Sequence, residues 1–476
     1  MFVRTLATLS LATLSLAQSN IPPAIPYART QDLLVVDSSF DGIWRLCDFN
    51  LDGDYDDAGE ISVFYSDLVG AYAWTTPTAI VSAPDGTVLV TEISNDAVYA
   101  LRDLTGDGDA NDPGEITIYF DGTNASGFPI PQAYGITVDA TGRFYLAVNN
   151  ATTPAGPDRI LRLQDLNGDG DAQDASEAID YYNFPGTTGS LATSIPTKVV
   201  VGPDGNLYYT EVGTGFTKGV WRLVDGNQNG TCNDPGEATL FWAPPFTTSP
   251  QYWSLCVDGA AGFVVSDHAT SNEKIWRAFD ANANGVIEAG EQTLFFQTTG
   301  SSWWDLVLRS DGTVLAVDSD SPDKIHALRD ANADGDALDA GEATFAYHAA
   351  TASTVVAVRG ATMQRAPLLE LTPPTVPIGT STTVVTHAAK PLDLCVVVIS
   401  IGLGVPLPLA PWGVVEIDIG GFVSIGAGFA GTNGDYPVPF AVPNDPAVIG
   451  SYAFQSLCGD QFRLFLGNAA LMTVTP

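Results

Sequence analysis

The sequence predicts an all-β protein, a six-bladed β-propeller followed by a small antiparallel β-sandwich, and three observations carry that prediction. A short acidic motif recurs six times in one frame, beginning at Asp48, Asp103, Asp165, Asp225, Asp280 and Asp330. The segments flanking each copy are short, alternating and rich in β-branched and aromatic residues, as strands are. The repeat of roughly 50–60 residues has the size of a four-stranded propeller blade.

The first copy reads DFNLDGDYDDAGE over residues 48–60. Oxygen-bearing side chains at positions 1, 3 and 5, then a glycine permitting a sharp turn, then a distal glutamate, form the pattern by which a flexible loop encloses Ca2+. Asp, Asn and Gly also build metal-free turns, but six copies in one frame favour the metal. The expected ligands in this copy are Asp48, Asn50, Asp52, Asp54, Asp57 and Glu60. In the second they are Asp103, Thr105, Asp107, Asp109, Asp112 and Glu115, and in the third Asp165, Asn167, Asp169, Asp171, Asp174 and Glu177. The fourth offers Asp225, Asn227, Asn229, Thr231, Asp234 and Glu237. The fifth offers Asp280, Asn282, Asn284, Val286, Glu288 and Glu291, and the sixth Asp330, Asn332, Asp334, Asp336, Asp339 and Glu342.

In the fifth copy Glu288 and Glu291 stand at positions 9 and 12, the EF-hand spacing; the other five carry one extra residue between positions 7 and 9. An EF-hand loop joins two helices. Here strand-like segments such as GIWRLCD and AVYALRD precede it, and ISVFYS and ITIYFD follow. Each loop is therefore expected at the tip of a β-hairpin.

At 476 residues and 45% hydrophobic content, the chain can bury large cores and is expected to form two domains. The opening MFVRTLATLSLATLSLA sets Arg4 before an apolar run ending in Ser15 and Ala17. It reads as a secretory signal peptide over residues 1–17, cleaved near Ala17, and the run is too short to span a membrane. The expected product is secreted, extracellular and monomeric, without membrane insertion.

The formal net charge of −36 comes from 55 acids against 19 bases, and about half of the acids lie inside the six loops. The acidity is thus concentrated where a divalent cation would neutralise it. Such a surface repels nucleic acid and anionic membrane, and neither is expected as a partner. Crowded carboxylates repel one another without metal, so folding and binding of about six structural Ca2+ are expected to be coupled. Of five cysteines, Cys395 and Cys458 are expected to pair as a disulfide in an exported protein. Cys47, Cys232 and Cys256 read as buried small side chains.

The second repeat shows the blade layout: TAIVSAP (78–84) innermost, a DG turn, TVLVTE (87–92), AVYALRD, the calcium loop, then ITIYFD outermost. The segment STVVAVRGA (353–361) reads as an unaccompanied inner strand that returns to DLLVVD (32–37) and closes the ring. The propeller then covers residues 21–362. Residues 366–476 lack the motif and carry segments such as LCVVVISIGL and FRLFLG between Gly, Pro and Asn-Asp turns, which suggests a β-sandwich.

The pattern of inner strand, D-G turn and second strand in TKVVVGPDGNLYYTE and WDLVLRSDGTVLAVD resembles the NHL and SMP-30/gluconolactonase-like six-bladed propellers. The loops resemble EF-hand and dockerin loops and the helix-free calcium loops of integrin-type propellers. The C-terminal region resembles β-modules of secreted bacterial proteins. The lactonase resemblance implies a channel metal held by Glu, Asn and Asp. This sequence departs from it, carrying Ile80, Ile136, Val199, Leu255 and Leu306 at the matching places, with Asp305 the only nearby carboxylate.

Two further columns recur. Asp37, Glu92, Asn149, Glu211, Asp267 and Asp318 end the second strands; they could ring a channel mouth, but capping of the following turn is favoured. Thr78, Tyr134, Thr197, Trp253, Trp304 and Thr354 begin the inner strands. Trp74, Tyr134, Trp253 and Trp304 are candidates to stack on a ligand, with inter-blade packing as the alternative. His268, beside Asp267, is the one histidine near such a mouth. No nucleophile elbow, phosphate-binding loop or zinc cluster appears, and no catalytic residue is assigned. The expected function is non-catalytic binding of a carbohydrate or extracellular protein, with a lactonase, lyase or sugar-dehydrogenase type of enzyme as the alternative.

Overall fold

The computed structural model describes residues 32–48, 53–83, 86–104, 108–139, 141–149, 158–184, 194–213, 217–243, 252–258, 262–267, 273–309, 312–349, 354–364, 369–372, 375–387, 394–401, 403–409, 413–417, 422–429, 435–459 and 464–476. The signal-peptide segment lies outside them.

Six four-stranded antiparallel sheets form a β-propeller. From inner to outer edge, blade 1 is Val358–Met363, Leu33–Asp37, Gly42–Leu46 and Ile61–Ser66, and blade 2 is Pro77–Ser82, Val88–Glu92, Ala97–Leu101 and Ile116–Asp121. Blade 3 is Ala133–Val138, Phe144–Val148, Arg159–Leu163 and Ala178–Asn183; blade 4 is Pro196–Val201, Leu207–Glu211, Gly219–Leu223 and Ala238–Trp242. Blade 5 is Tyr252–Asp258, Gly262–Asp267, Glu273–Phe279 and Gln292–Thr298; blade 6 is Trp303–Leu308, Val314–Asp318, Lys324–Leu328 and Ala343–His348. Each inner strand neighbours those of the blades on either side, blade 6 returning to blade 1, so the ring is closed.

Closure uses the strand from the far end of the repeat region: Val358–Met363 pairs antiparallel with Leu33–Asp37. It begins later than the expected 353–361. The N–H of Val355 is bound by the Tyr347 hydroxyl and that of Val356 by Asp37 Oδ2, both at 2.8 Å. Ala357 then turns the chain at φ 80°. Arg359, not Thr354, consequently shares the column of Trp304.

The core lies between blades. Leu34, Ile43 and Phe64 of blade 1 pack on Ile80, Val90 and Tyr99 of blade 2, and similar clusters fill the other seams. Second strands such as Val88–Glu92 are buried at every residue because both faces meet a neighbouring blade. Each buried Leu, Ile or Val there contributes about 1.5–3 kcal/mol.

Every blade has a bulge where its third strand meets its outer strand. One outer-strand residue is skipped in each pairing: Phe64, Tyr119, Tyr181, Phe241, Phe295 and Ala346. A bulge turns a backbone group away from its own ladder. Here it turns the carbonyl toward the next blade.

In the C-terminal sandwich, a sheet of Leu369–Thr372, Ser381–His387 and Asp435–Ala441 supplies Val384 and Val438 to a shared core. A five-stranded sheet, ordered Thr375–Pro377, Leu464–Thr475, Gly450–Gly459, Leu394–Ser400 and Val423–Phe429, supplies Val397, Phe454 and Met472. Cys395 and Cys458 are directly opposed in this sheet, with sulfurs 3.3 Å apart. That is a thiol–thiol contact, in place of the expected disulfide, whose S–S distance would be about 2.05 Å. No helix among the described residues is long and apolar enough to cross a membrane.

Candidate metal centres

Each acidic loop joins the third and outer strands of a blade, at a hairpin tip. Its first aspartate accepts from the N–H of the glycine five residues on: Asp48 from Gly53, Asp103 from Gly108, Asp165 from Gly170, Asp225 from Gly230, Asp280 from Gly285 and Asp330 from Gly335, at 2.8–3.0 Å. All six glycines have φ between 85° and 104°, a backbone conformation that other residues rarely adopt.

The distal glutamates close the loop base. In every copy Oε2 accepts from a backbone N–H three residues earlier, as Glu115 does from Asp112 at 3.1 Å. In copies two to six, Oε1 also accepts from the second loop residue, as with Leu104 and Glu115 at 2.7 Å. Glu60, Glu115, Glu177, Glu237 and Glu342 are buried, and Glu291 is half-buried.

The donor set suits a hard cation. In the sixth loop, oxygens of Asp334, Asp336 and Glu342 lie within 4.8 Å of one another, and one ion at Ca–O distances of about 2.3–2.6 Å could reach all three. Amides also face the carboxylates. Asn332 Nδ2 donates to Asp334 and Asp339 at 3.0 and 2.7 Å, and Asn167 to Asp169 and Asp174 at 3.0 and 2.7 Å. Asn227 and Asn229 both donate to Asp234, and Asn282 and Asn284 to Glu288. In this arrangement amide N–H groups relieve the repulsion that a cation would otherwise neutralise; ligation would require rotation to present Oδ1. Asn50, Asp52, Thr105 and Asp107 lie outside the described residues.

The eighth loop residue links blades, which sequence reading missed. Its N–H donates to the bulged carbonyl of the preceding blade: Ala110 to Phe64, Ala172 to Tyr119, Cys232 to Tyr181, Ile287 to Phe241, Ala337 to Phe295 and Tyr55 to Ala346, at 2.7–2.8 Å. Because Ile287 makes this bond too, the extra residue of the other five loops is the ninth. In four of them its side chain accepts from the end of the same neighbouring strand, Asp56 from His348, Asn111 from Ser66, Gln173 from Asp121 and Asn233 from Asn183.

The channel column is Ala79, Gly135, Lys198, Ser254, Asp305 and Gly360, one position before the apolar residues singled out in the sequence. Lys198 Nζ, from blade 4, reaches Asp305 Oδ1 of blade 6 at 2.7 Å, and Ser254 Oγ donates to the same oxygen at 2.7 Å. Asp305 Oδ2 accepts from the Ala361 N–H at 3.1 Å. Ile80, Val199, Leu255 and Leu306 are buried in seams instead.

The second-strand acids cap turns. Asp37 Oδ1 accepts from Ser39 and Phe40, Glu211 Oε1 from Gly213 and Ile195, and Asp318 Oδ1 from Asp320 and Ser302. Burial pushes the Glu211 carboxyl up. Burial also acts upward on Asp318, but His326, 3.5 Å away, and the N–H groups of Ser302 and Asp320 outweigh it and hold the carboxyl below its usual range.

The aromatic candidates separate. Trp74 is 1% exposed, packed against Tyr65 and Tyr99, and so closed to a ligand. Tyr134 and Trp304 are half-buried, and the Arg359 guanidinium lies 4.1 Å from the Trp304 ring centroid. Trp253 occupies its expected place in the inner strand of blade 5. His268 lies outside the described residues.

Fold and loops together define a β-propeller with an acidic hairpin loop on each blade. No family model matches the chain, and no curated protein matches it. Among solved structures it is similar to the PQQ-bound aldose sugar dehydrogenase of Streptomyces coelicolor, at 12% identity and TM-score 0.42, over 67% of this chain and 91% of that one. It is similar to a putative gluconolactonase at 16% identity and TM-score 0.38, over 66% and 86%. It is also similar to the calcium-binding protein regucalcin of Agrobacterium tumefaciens at 11% identity and TM-score 0.37, over 56% and 74%. At these values the likeness assigns no activity.

Proposed function

We propose that this chain is a secreted calcium-binding propeller that acts as a non-catalytic binding or scaffold protein, recognising a carbohydrate or an extracellular protein. About six Ca2+ are structural, one in each hairpin loop. The observation that carries the reading is the repetition of one loop geometry on every blade, with the eighth residue bonded to the neighbouring blade. An ion that orders the loop then also orders the seam. The channel supports the non-catalytic choice, because its one column carboxylate, Asp305, is engaged by Lys198 and Ser254.

The test is thermal unfolding of the mature protein with calcium and with EGTA, alongside metal content by mass spectrometry. About six Ca2+ per chain and a large fall in melting temperature on chelation are expected. No bound calcium and no shift would overturn the reading.

A second reading, a propeller enzyme of the lactonase, lyase or sugar-dehydrogenase kind, is favoured by Lys198 and Ser254 of the same group, since a half-buried ammonium and a hydroxyl held on one carboxylate can serve proton transfer. A seventh, more tightly held ion and turnover of a sugar lactone or aldose would support it.

A further inference from the structure

The third strands carry a column three residues before each loop: Arg45, Ala100, Arg162, Arg222, Arg277 and Ala327. Where arginine is present, it reaches across the seam to the loop of the next blade. Arg45 Nη1 donates to the Gly108 carbonyl at 2.6 Å, and Arg162 Nη1 to the Gly230 carbonyl at 3.2 Å. Arg222 approaches Gly285, and Arg277 Nη1 bonds Asp330 at 3.3 Å. Guanidinium carbons also stand over the bulged aromatic of their own blade, Arg45 at 5.6 Å from the Phe64 centroid and Arg277 at 5.0 Å from that of Phe295.

Between blades 2 and 3 the arginine is Ala100. A groove of about 440 Å3 opens there, lined by Ala100, Tyr119, Phe144, Asp169, Gly170 and Asp171. Tyr119 is the counterpart of Phe64, and Gly170 of Gly108. Gly108 is buried, whereas Gly170 is exposed. Among the described residues the one cation on the groove wall is Arg102, whose Nε donates to Thr87 Oγ1 at 2.6 Å. The other alanine, Ala327, faces the loop of blade 1, of which residues 49–52 lie outside the described ones.

We propose that this groove is a binding site for a guanidinium group supplied from outside the chain. The ligand takes the place that Arg45 fills in the preceding seam, its N–H groups on the Gly170 carbonyl and its plane over the Tyr119 ring. Cation–π attraction and a planar donor fork suit guanidinium better than ammonium. The proposal is independent of the calcium reading, because it rests on a seam that four other blades fill with their own arginine.

The experiment is calorimetric titration of the calcium-saturated protein with agmatine, with an arginine-containing pentapeptide and with cadaverine as the ammonium control. Saturable one-site binding of agmatine or of the arginine peptide is expected, with cadaverine weaker by about tenfold or more. Binding of the peptide alone would assign the source to a partner protein, and binding of both to the guanidinium itself. Ala100→Arg should fill the groove from within, raise the melting temperature and weaken agmatine by about tenfold or more. Ala100→Met blocks the same space without charge and should weaken binding likewise, which keeps the test open if the arginine variant folds poorly. No binding of either guanidinium probe, equal binding of cadaverine, or undiminished binding by the folded blocked variant would overturn the proposal.

Discussion

The backbone N–H of Ala110 lies 2.7 Å from the carbonyl of Phe64, joining an acidic loop of blade 2 to the bulged outer strand of blade 1. The same pair recurs at every seam. The bulge frees the carbonyl and the loop supplies the donor, so the two irregularities explain each other.

Ala110→Pro removes that donor and leaves a buried carbonyl unsatisfied. A loss of about 1–3 kcal/mol is expected, more if the ring clashes. Denaturant unfolding of the variant beside Ala110→Gly, which keeps the N–H, measures it.

Gly335→Ala isolates backbone strain in the sixth loop. Its φ is 104°, and an added Cβ would meet nothing within 4 Å. A cost of about 1–2 kcal/mol is therefore expected from conformation alone. In the proposed calcium site the same strain should weaken Ca2+ binding to this loop by about tenfold, which calorimetric titration reads.

Lys198→Met strands the buried Asp305 carboxylate and should cost about 3–5 kcal/mol, whereas Asp305→Asn strands a half-buried ammonium and should cost less. The double variant should recover much of the loss. A double-mutant cycle followed by thermal unfolding checks the coupling, and near-additive losses would show that the pair is not coupled.

Asp318 makes stability depend on pH. Its folded-state pKa is depressed, so its contribution is complete above the unfolded value of about 3.9 and fades as pH falls toward the folded one. Asp318→Asn should lose about 1–3 kcal/mol near neutrality. The gap to the parent protein should narrow below about pH 4, as read by melting temperatures across a pH series.

The blades and their closure were legible because alternation and turn residues are local signals. DLLVVD and the strand containing VRGA could be matched across the whole repeat region since each lacked a partner nearby. The start of the closing strand was misjudged because 353–357 is also rich in β-branched residues; side chains of Tyr347 and Asp37 hold Val355 and Val356 out of the sheet. Trp74 looked available because it stands near an inner strand, but Tyr65 and Tyr99 enclose it. The Lys198–Asp305 pair could not be read, as nothing along the chain relates residues that meet only across the channel. The column of four Arg and two Ala at 45, 100, 162, 222, 277 and 327 was visible, yet it had no meaning until the seams existed.

Blade 1 holds strands from both ends of the propeller segment. During synthesis Leu33–Asp37 emerges early, but its inner-edge partner Val358–Met363 is made only after every other blade. For that whole interval the first sheet presents an unpaired edge, which invites pairing with foreign strands. Vectorial folding can therefore assemble five blades in turn while the first waits incomplete. A nascent chain cut before residue 358 would be left with the inner edge of blade 1 open, and that edge is where misassembly should start.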